Sequence, residues 1–267
     1  MNKIDVLDKG YVRLIDVMGS DLEVANSARV SYDKRSYSMS DKDEKLINFL
    51  WREEHTSPFR HCVLSFEIYA PLMVARQHWK YAVASTFVDD QNGWNESSRR
   101  YVTEEPEFYL PMANDWRSAP ENSKQGSGEP LENYKGGALS ENLYYHIQAS
   151  MEHYEKAIAS GVAPELARLF LPAYGMYVRY RWTTSLHGVM HFLEQRLEHS
   201  SQVEIQEYAK AIFSLSKVEF PLSIGLIGKK DIVKELSELS FKYGKGIGME
   251  IIPTAMIDDF IKKNSNG

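Results

Sequence analysis

The stretch HCVLSFEIYAPLMVARQHWK, residues 61–80, decides the fold. Its first half alternates: Cys62, Leu64, Phe66 and Ile68 fall on one face and Val63, Ser65, Glu67 and Tyr69 on the other, the period of a half-buried strand. Pro71 then suits the first turn of a helix, because the N–H it lacks would have no partner there. On that helix Arg76 and Lys80 stand four apart on one face, with Gln77 beside them. A strand feeding directly into a helix delivers His61 and the Arg76 cluster to one neighbourhood.

Toward the N-terminus, Ile4, Val6 and Leu7, then Val12, Leu14, Ile15 and Val17, flank Lys9-Gly10 and predict two short strands around a turn. Ser20-Asp21-Leu22-Glu23 is a capping-box pattern, so a helix is expected from Asp21 to about Val30. A second helix should start at Ser40 or Asp41, with Leu46, Ile47, Phe49 and Leu50 as its apolar side. It should stop before Thr56-Ser57-Pro58, since the residue before proline avoids the α region.

Toward the C-terminus, residues 114–137 are rich in Gly, Pro, Ser, Asn and charge and predict a long surface loop. Leu143, Ile147, Met151, Tyr154 and Ile158 mark an amphipathic helix ending at Gly161. Pro164 opens a short helix that Pro172 closes. Met176, Val178, Tyr180 and Trp182 then alternate with Tyr177, Arg179, Arg181 and Thr183, a strand whose second face is basic and hydroxylic and suits an anion. A helix over Ser185 to Glu198 should turn Met190, Leu193 and Leu197 to the core and His187, His191 and Arg196 elsewhere. Another follows from Val203 to Glu219. With no repeat and no Pro/Ser linker, a single domain over residues 1–220 is expected, with residues 221–267 as a C-terminal helical extension.

The 267 residues are 43% apolar and 12% aromatic, enough for a sizeable core. Lys+Arg number 31 against 37 Asp+Glu, a formal charge of −6, so no global basic field favours nucleic acid and an anionic ligand needs a local cluster. One such cluster is Asn95-Glu96-Ser97-Ser98-Arg99-Arg100-Tyr101, whose carboxylate, hydroxyls and guanidiniums suit a phosphate-bearing polar ligand. The single cysteine, Cys62, excludes an internal disulfide framework and reads as a small buried hydrophobe rather than a nucleophile. No apolar leader or membrane-length run is present, and a cytoplasmic protein is expected. His187 and His191 stand at i, i+4, a spacing that can share a metal, but H-E-x-x-H is absent, so no metal is expected. No phosphate-binding Gly-rich loop supports a nucleoside triphosphatase or a Rossmann site.

Taken together, a collinear series resembles the flavin-dependent thymidylate synthases. It runs through KIDVLDKGYVRLIDVMGSDLEVANSARVSYD (3–33), HTSPFRHCVLSFEIYAPLMVARQ (55–77), NESSRRY (95–101), EFYLP (107–111) and LARLFLPAYGMYVRYRWTTSLHGVMHFLEQRLEHSSQVEIQEYA (166–209). The resemblance implies an α+β fold whose mostly antiparallel sheet is flanked by helices, assembled as a homotetramer with sites shared between subunits. It implies reductive methylation of dUMP to dTMP, with methylenetetrahydrofolate giving the carbon, reduced FAD the hydride, and NADPH the electrons that reduce the flavin. By position, Gln77, Lys80, Glu96, Ser97, Ser98, Arg99, Arg100 and Arg179 would hold the nucleotide. Arg196 would be the catalytic cation, lying against the uracil and favouring its anionic form. His61, Val63, Lys80, Tyr81, Ala82, Ser85, Asn95, Glu96, Ser185, His187 and His191 would contact the flavin. The loop SKQGSGE, residues 123–129, would close over the site.

Two features depart from the family pattern. An Arg-His-Arg triplet is replaced by Lys80-Tyr81-Ala82, and residues Thr86 to Trp94 separate Ser85 from Asn95 where the family is nearly contiguous. The insertion leaves open a C5 methylase or hydroxymethylase acting on UMP or dCMP. The altered triplet leaves open a nucleotide-binding protein that has lost its flavin.

Overall fold

In chain order the strands are β1 (Lys3–Val6), β2 (Gly10–Met18), β3 (Val63–Pro71), β4 (Gly93–Glu96) and β5 (Tyr177–Ser185). The helices are α1 (Asp21–Arg29), α2 (Asp41–Arg52), α3 (Leu72–Ser85), α4 (Asn133–Ala159), α5 (Pro164–Ala167), α6 (Leu186–Arg196), α7 (Val203–Glu219) and α8 (Pro221–Ile224). This computed structural model describes residues 2–85, 93–97, 105–121 and 126–228, with the side chains of all of these but 31 and 81–85. Among the described residues the five strands form one sheet in the order β1-β2-β3-β5-β4, and every pairing is antiparallel. The α+β reading therefore holds, with β3 at the centre of the sheet.

The alternation in β3 sets what each face does. Leu64, Phe66 and Ile68 have no exposed surface and pack with Tyr180 and Trp182 of β5. Ile205, Tyr208, Ala209 and Ile212 of α7 and Leu186, Val189, Met190 and Leu193 of α6 complete this core. Each leucine, isoleucine, valine, methionine or phenylalanine among them contributes about 1.5–3 kcal/mol on full burial. Tyr208 spans the interface, its hydroxyl donating to the carbonyl of Tyr69 at 2.8 Å. Space there is tight: a Cβ on Gly10 would fall 1.9 Å from the Tyr208 hydroxyl oxygen, so only glycine fits.

The opposite face is polar and laddered. Arg13 reaches Glu67 at 3.3 Å, Tyr11 donates to Glu67 at 2.9 Å, and Arg181 Nε donates to Ser65 Oγ at 3.0 Å. Arg179 lies over the Tyr69 ring, 5.4 Å from its centroid. Cross-strand pairs of this kind fix register as well as adding a few tenths of a kcal/mol each.

Several boundaries differ from the sequence expectation. Ser20 precedes α1 in extended geometry, but its side chain makes no capping hydrogen bond. The neighbouring Asp21 instead caps another helix, accepting from the backbone N–H of Leu222 at 2.8 Å and of Ser223 at 3.0 Å, and from the Ser223 hydroxyl at 2.5 Å. In α2, Phe49 is 43% exposed while Trp51 is buried, because the apolar stripe follows Ile47, Leu50 and Trp51. Pro71 closes β3, opposite Tyr177, rather than opening α3. His61 ends a 3-10 helix, Ser57–His61, which delays the strand to Val63. Ile15 sits at a bulge between Leu14 and Asp16, so two apolar neighbours in sequence need not share a face.

The long loop expected over residues 114–137 is shorter, since α4 begins at Asn133 and a 3-10 turn covers Ala113–Asp115. These two pieces touch through Gly136, where a Cβ would lie 1.9 Å from the carbonyl oxygen of Ala113. The helix ends as expected, with Gly161 at φ +84 just beyond Ala159. The compact unit runs from Met1 to Ile227, so α8 belongs with it: Ile224 and Leu226 are buried in the same core. Residues 229–267, most of the expected extension, lie outside the described residues.

Candidate active site

The pairing of β4 on β5 brings two of the sequence clusters together. Asn95 stands opposite Arg181 and Glu96 opposite Tyr180. One residue further on, the Ser97 N–H donates to the Arg179 carbonyl at 2.8 Å, and the Arg179 N–H donates to Ser97 Oγ at 3.1 Å. Asn95, Glu96 and Ser97 are exposed along this edge while Arg179 is half-buried. The amide of Asn95 and the hydroxyl of Ser97 thus lie along the same stretch of β5 as the two guanidinium-bearing residues, while Glu96 pairs with Tyr180 and belongs to the other face. Ser98, Arg99 and Arg100 lie outside the described residues, as do residues 122–125 of the expected closing loop.

Helix α3 carries the other half of the signature. Gln77 is half-buried and donates through Nε2 to Oε1 of Gln202, at the start of α7. Gln202 Nε2 in turn reaches Met73 Sδ at 3.6 Å. Arg196 ends α6, and a short loop carries the chain on to Gln202, with Ser201 Oγ donating to the Gln195 carbonyl at 2.9 Å. Arg196 is half-buried, and Lys80 is exposed on α3. Of Tyr81, Ala82 and Ser85 the structure gives only their place in the last turns of α3.

Five of the positions assigned to flavin, His61, Val63, Ser185, His187 and His191, gather at the other end of β3, whereas Lys80, Tyr81, Ala82 and Ser85 belong to α3 and Asn95 and Glu96 to β4. Val63 pairs with Ser185, and the Leu186 N–H donates to the Cys62 carbonyl at 2.8 Å, which seats the start of α6 beside His61. Ser185 is fully buried and caps α6, its Oγ accepting from the Gly188 N–H at 3.1 Å. His187 lies 6.5 Å from the Trp51 ring, edge to face. His191 is exposed one turn later, its basicity lowered by partial burial. Cys62 is fully buried, and burial, together with the charges of Glu23 and Asp21, raises its thiol to about 11 despite a hydrogen bond to Ser20. A thiol held protonated there cannot serve as a nucleophile at neutral pH.

Between these groups sits a residue that the sequence did not single out. His78 is 1% exposed, with Nδ1 3.0 Å from the Tyr180 hydroxyl and its ring stacked on Phe192 of α6 at 4.3 Å. Trp182 and Trp94 close on it edge-on at 4.3 and 5.6 Å. Burial lowers its pKa to about 3, and its Nε2 has no hydrogen-bond partner among the described residues. His78 therefore joins α3, β4, β5 and α6, four of the elements that carry the expected site. Trp94, inside the insertion, stacks on Tyr180 at 4.2 Å, so the end of that segment is part of the packed sheet.

A cavity of about 580 Å³ adjoins Gln202, with Met73, Tyr109, Trp116, Arg117 and Glu204 among its walls. Arg117 and Glu204 form an ion pair in its wall at 2.5 Å, with both side chains mostly buried. No local spacing signals that pair, since the partners stand 87 positions apart.

The five-stranded antiparallel sheet with its flanking helices matches the fold of a solved nucleotide methylase. The solved structure of UMP/dUMP methylase PolB from Streptomyces cacaoi, bound with 5-Br dUMP, superposes with a TM-score of 0.69 at 26% identity, covering 83% of this chain and 96% of that one. Residues 13–222 match the family model described as Thymidylate synthase complementing protein, and the chain belongs to that family. Proteins named flavin-dependent thymidylate synthase are similar over most of its length. One from Thermus thermophilus is 38% identical, covering 82% of this chain and 76% of its own. The one from Thermotoga neapolitana is 34% identical, covering 88% and 100%. The one from Wolbachia pipientis wMel is 36% identical, covering 82% and 73%.

Proposed function

We propose that the protein is a flavin-dependent thymidylate synthase, converting dUMP to dTMP with methylenetetrahydrofolate as carbon donor and NADPH-reduced FAD as hydride donor. The observation that carries this reading is the β4–β5 pairing, which sets Asn95 opposite Arg181 and bonds Ser97 to Arg179, with Glu96 between them opposite Tyr180. Arg179, with Arg99 and Arg100, neutralises the nucleotide phosphate, a dianion best met by guanidinium forks. Gln77, oriented by its bond to Gln202, and Glu96 address the sugar and base. Arg196 lies against the uracil and stabilises negative charge developing on the ring.

The residues at the His61 end fit a flavin. His61, His187 and His191 supply ring donors and acceptors beside an apolar wall that includes Trp51. Ser185 and Val63 act by fixing the start of α6, because Ser185 spends its hydroxyl as a cap. FAD, when bound, supplies the hydride that no side chain can provide. Lys80, Tyr81, Ala82 and Ser85 complete that contact from α3.

The functional unit is a homotetramer with shared sites. Leu166, Leu169, Phe170 and Tyr174 are all more than half exposed within one short segment, an apolar surface that a second subunit would cover. No helix among the described residues is long and apolar enough to cross a membrane, and we assign the enzyme to the cytoplasm.

The Streptomyces cacaoi relative has also been solved with 5-Br UMP, which favours testing the ribonucleotide too. The assay supplies NADPH and methylenetetrahydrofolate with dUMP, UMP or dCMP and identifies the product by mass. dTMP formed fastest from dUMP is expected. Faster methylation of UMP or dCMP would overturn the substrate, and no methylated product from any of them would overturn the reaction.

A further inference from the structure

On the His61 side of the fold, Glu23, Val30, Asp33, Lys34, Arg35 and His61 line a cleft of about 410 Å³, completed by Asn26 and Ser27. That volume lies in the range of small-ligand sites, roughly 300–1,000 Å³. It suits one half of a dinucleotide rather than the whole.

The arc that bears its cations is anchored from behind. The buried Asn26 accepts from the Ser36 N–H at 2.8 Å and donates to the Ser36 carbonyl at 3.0 Å. Arg29 donates to Ser36 Oγ at 2.8 Å and pairs with Asp43, which Ser36 Oγ also meets at 3.0 Å. Burial alone would raise the Asp43 carboxyl, yet hydrogen bonds from Ser40, Arg29 and Ser36 with the Arg29 charge hold it at about 2. Asp33, at φ +50, turns the chain into this arc. Lys34 and Arg35 thus stand exposed on a fixed support. Lys34 has no ion pair among the described residues, and Arg35 has a single long contact, 3.8 Å from Glu23.

We propose that this cleft binds the adenosine-phosphate end of a dinucleotide, with Lys34 and Arg35 on the phosphates. The inference rests on the proposed flavin and NADPH chemistry. Phosphates need cations, and of the altered α3 triplet Lys80-Tyr81-Ala82 only Lys80 is one. Lys34 and Arg35 supply two more in a cleft that His61 also lines. Glu23 and Asp33 are placed to accept from ribose hydroxyls, and Val30, 79% exposed, offers an apolar surface to adenine. Cations and carboxylates in one cleft suit a sugar phosphate better than a free anion, which the carboxylates would repel. The same chemistry occurs in FAD and in NADPH.

The test compares full-length wild type with the double variant Lys34→Ala/Arg35→Ala. FAD affinity is measured by flavin fluorescence titration, NADPH KM by cofactor oxidation, and dUMP affinity and melting temperature serve as controls. Each lost charge-assisted contact should weaken binding about tenfold. A weaker FAD Kd identifies the flavin as the occupant, and a raised NADPH KM with unchanged FAD affinity identifies the nicotinamide cosubstrate. If a folded double variant keeps both values, the cleft assignment is overturned. Wild type that binds neither FAD nor NADPH would instead overturn the flavin reading on which it rests. Lys34→Gln, which touches none of the Asn26–Ser36–Asp43 anchor, decides the question if the double variant melts early.

Discussion

Acid should destabilise this protein through His78 before most of its carboxylates respond. The ring is neutral in the folded core, with a pKa of about 3, against an ordinary value of 6.5 in the unfolded chain. Below pH 6.5 the unfolded state therefore takes up a proton that the folded state refuses, and stability falls as pH falls, until the folded ring itself titrates near 3. The slope approaches about 1.4 kcal/mol per pH unit, so moving from pH 6.5 to about 4.5 costs about 2 kcal/mol from this residue alone. Asp43 acts lower, below that span, because its depressed carboxyl loses its stabilising effect only between 3.8 and about 2. His78→Phe keeps a ring to stack on Phe192 and removes both the titration and the unpartnered Nε2, at the loss of the Tyr180 hydrogen bond, about 1 kcal/mol. Urea denaturation of both proteins across this range should show wild type losing about 2 kcal/mol more than the variant. Parallel stability curves would refute the buried neutral histidine.

Other outcomes follow from single contacts. Asp21→Ala removes three hydrogen bonds from the start of α8 and should cost about 2–3 kcal/mol by urea midpoint; an unchanged midpoint would mean that α8 is held without it. Gly136→Ala drives a Cβ into the Ala113 carbonyl and should destabilise by about 1–3 kcal/mol, and a melting temperature equal to wild type would contradict the close approach. Arg179→Ala should weaken dUMP binding ten- to hundredfold by titration calorimetry, and undiminished affinity would remove this residue from the nucleotide site.

What could be read from the sequence follows interaction range. The alternation from Cys62 to Ile68 and from Val178 to Trp182 gave both central strands, because burial on one face repeats every second residue whatever the partner. Helices α4 and α6 followed from apolar spacing and from Gly161 and Ser185 at their ends. Asp21 misled because a carboxylate beside a helix start looks local, while its partners lie 201 and 202 positions away. The pairing of Ser97 with Arg179, the Gln77–Gln202 bond and the role of His78 are likewise tertiary, with no periodic signature. His78 sat inside a polar run, Arg76 to Lys80, and only the packing of Trp94, Trp182 and Phe192 shows that it points inward.

The most direct test of a flavin-dependent thymidylate synthase is the fate of bound flavin in a single turnover. Purified protein should carry FAD, and NADPH should bleach its visible absorbance. Anaerobic addition of methylenetetrahydrofolate and dUMP together should then restore the colour as one dTMP forms per flavin. Colour restored without dTMP, or a protein that holds no flavin at all, would contradict the assignment.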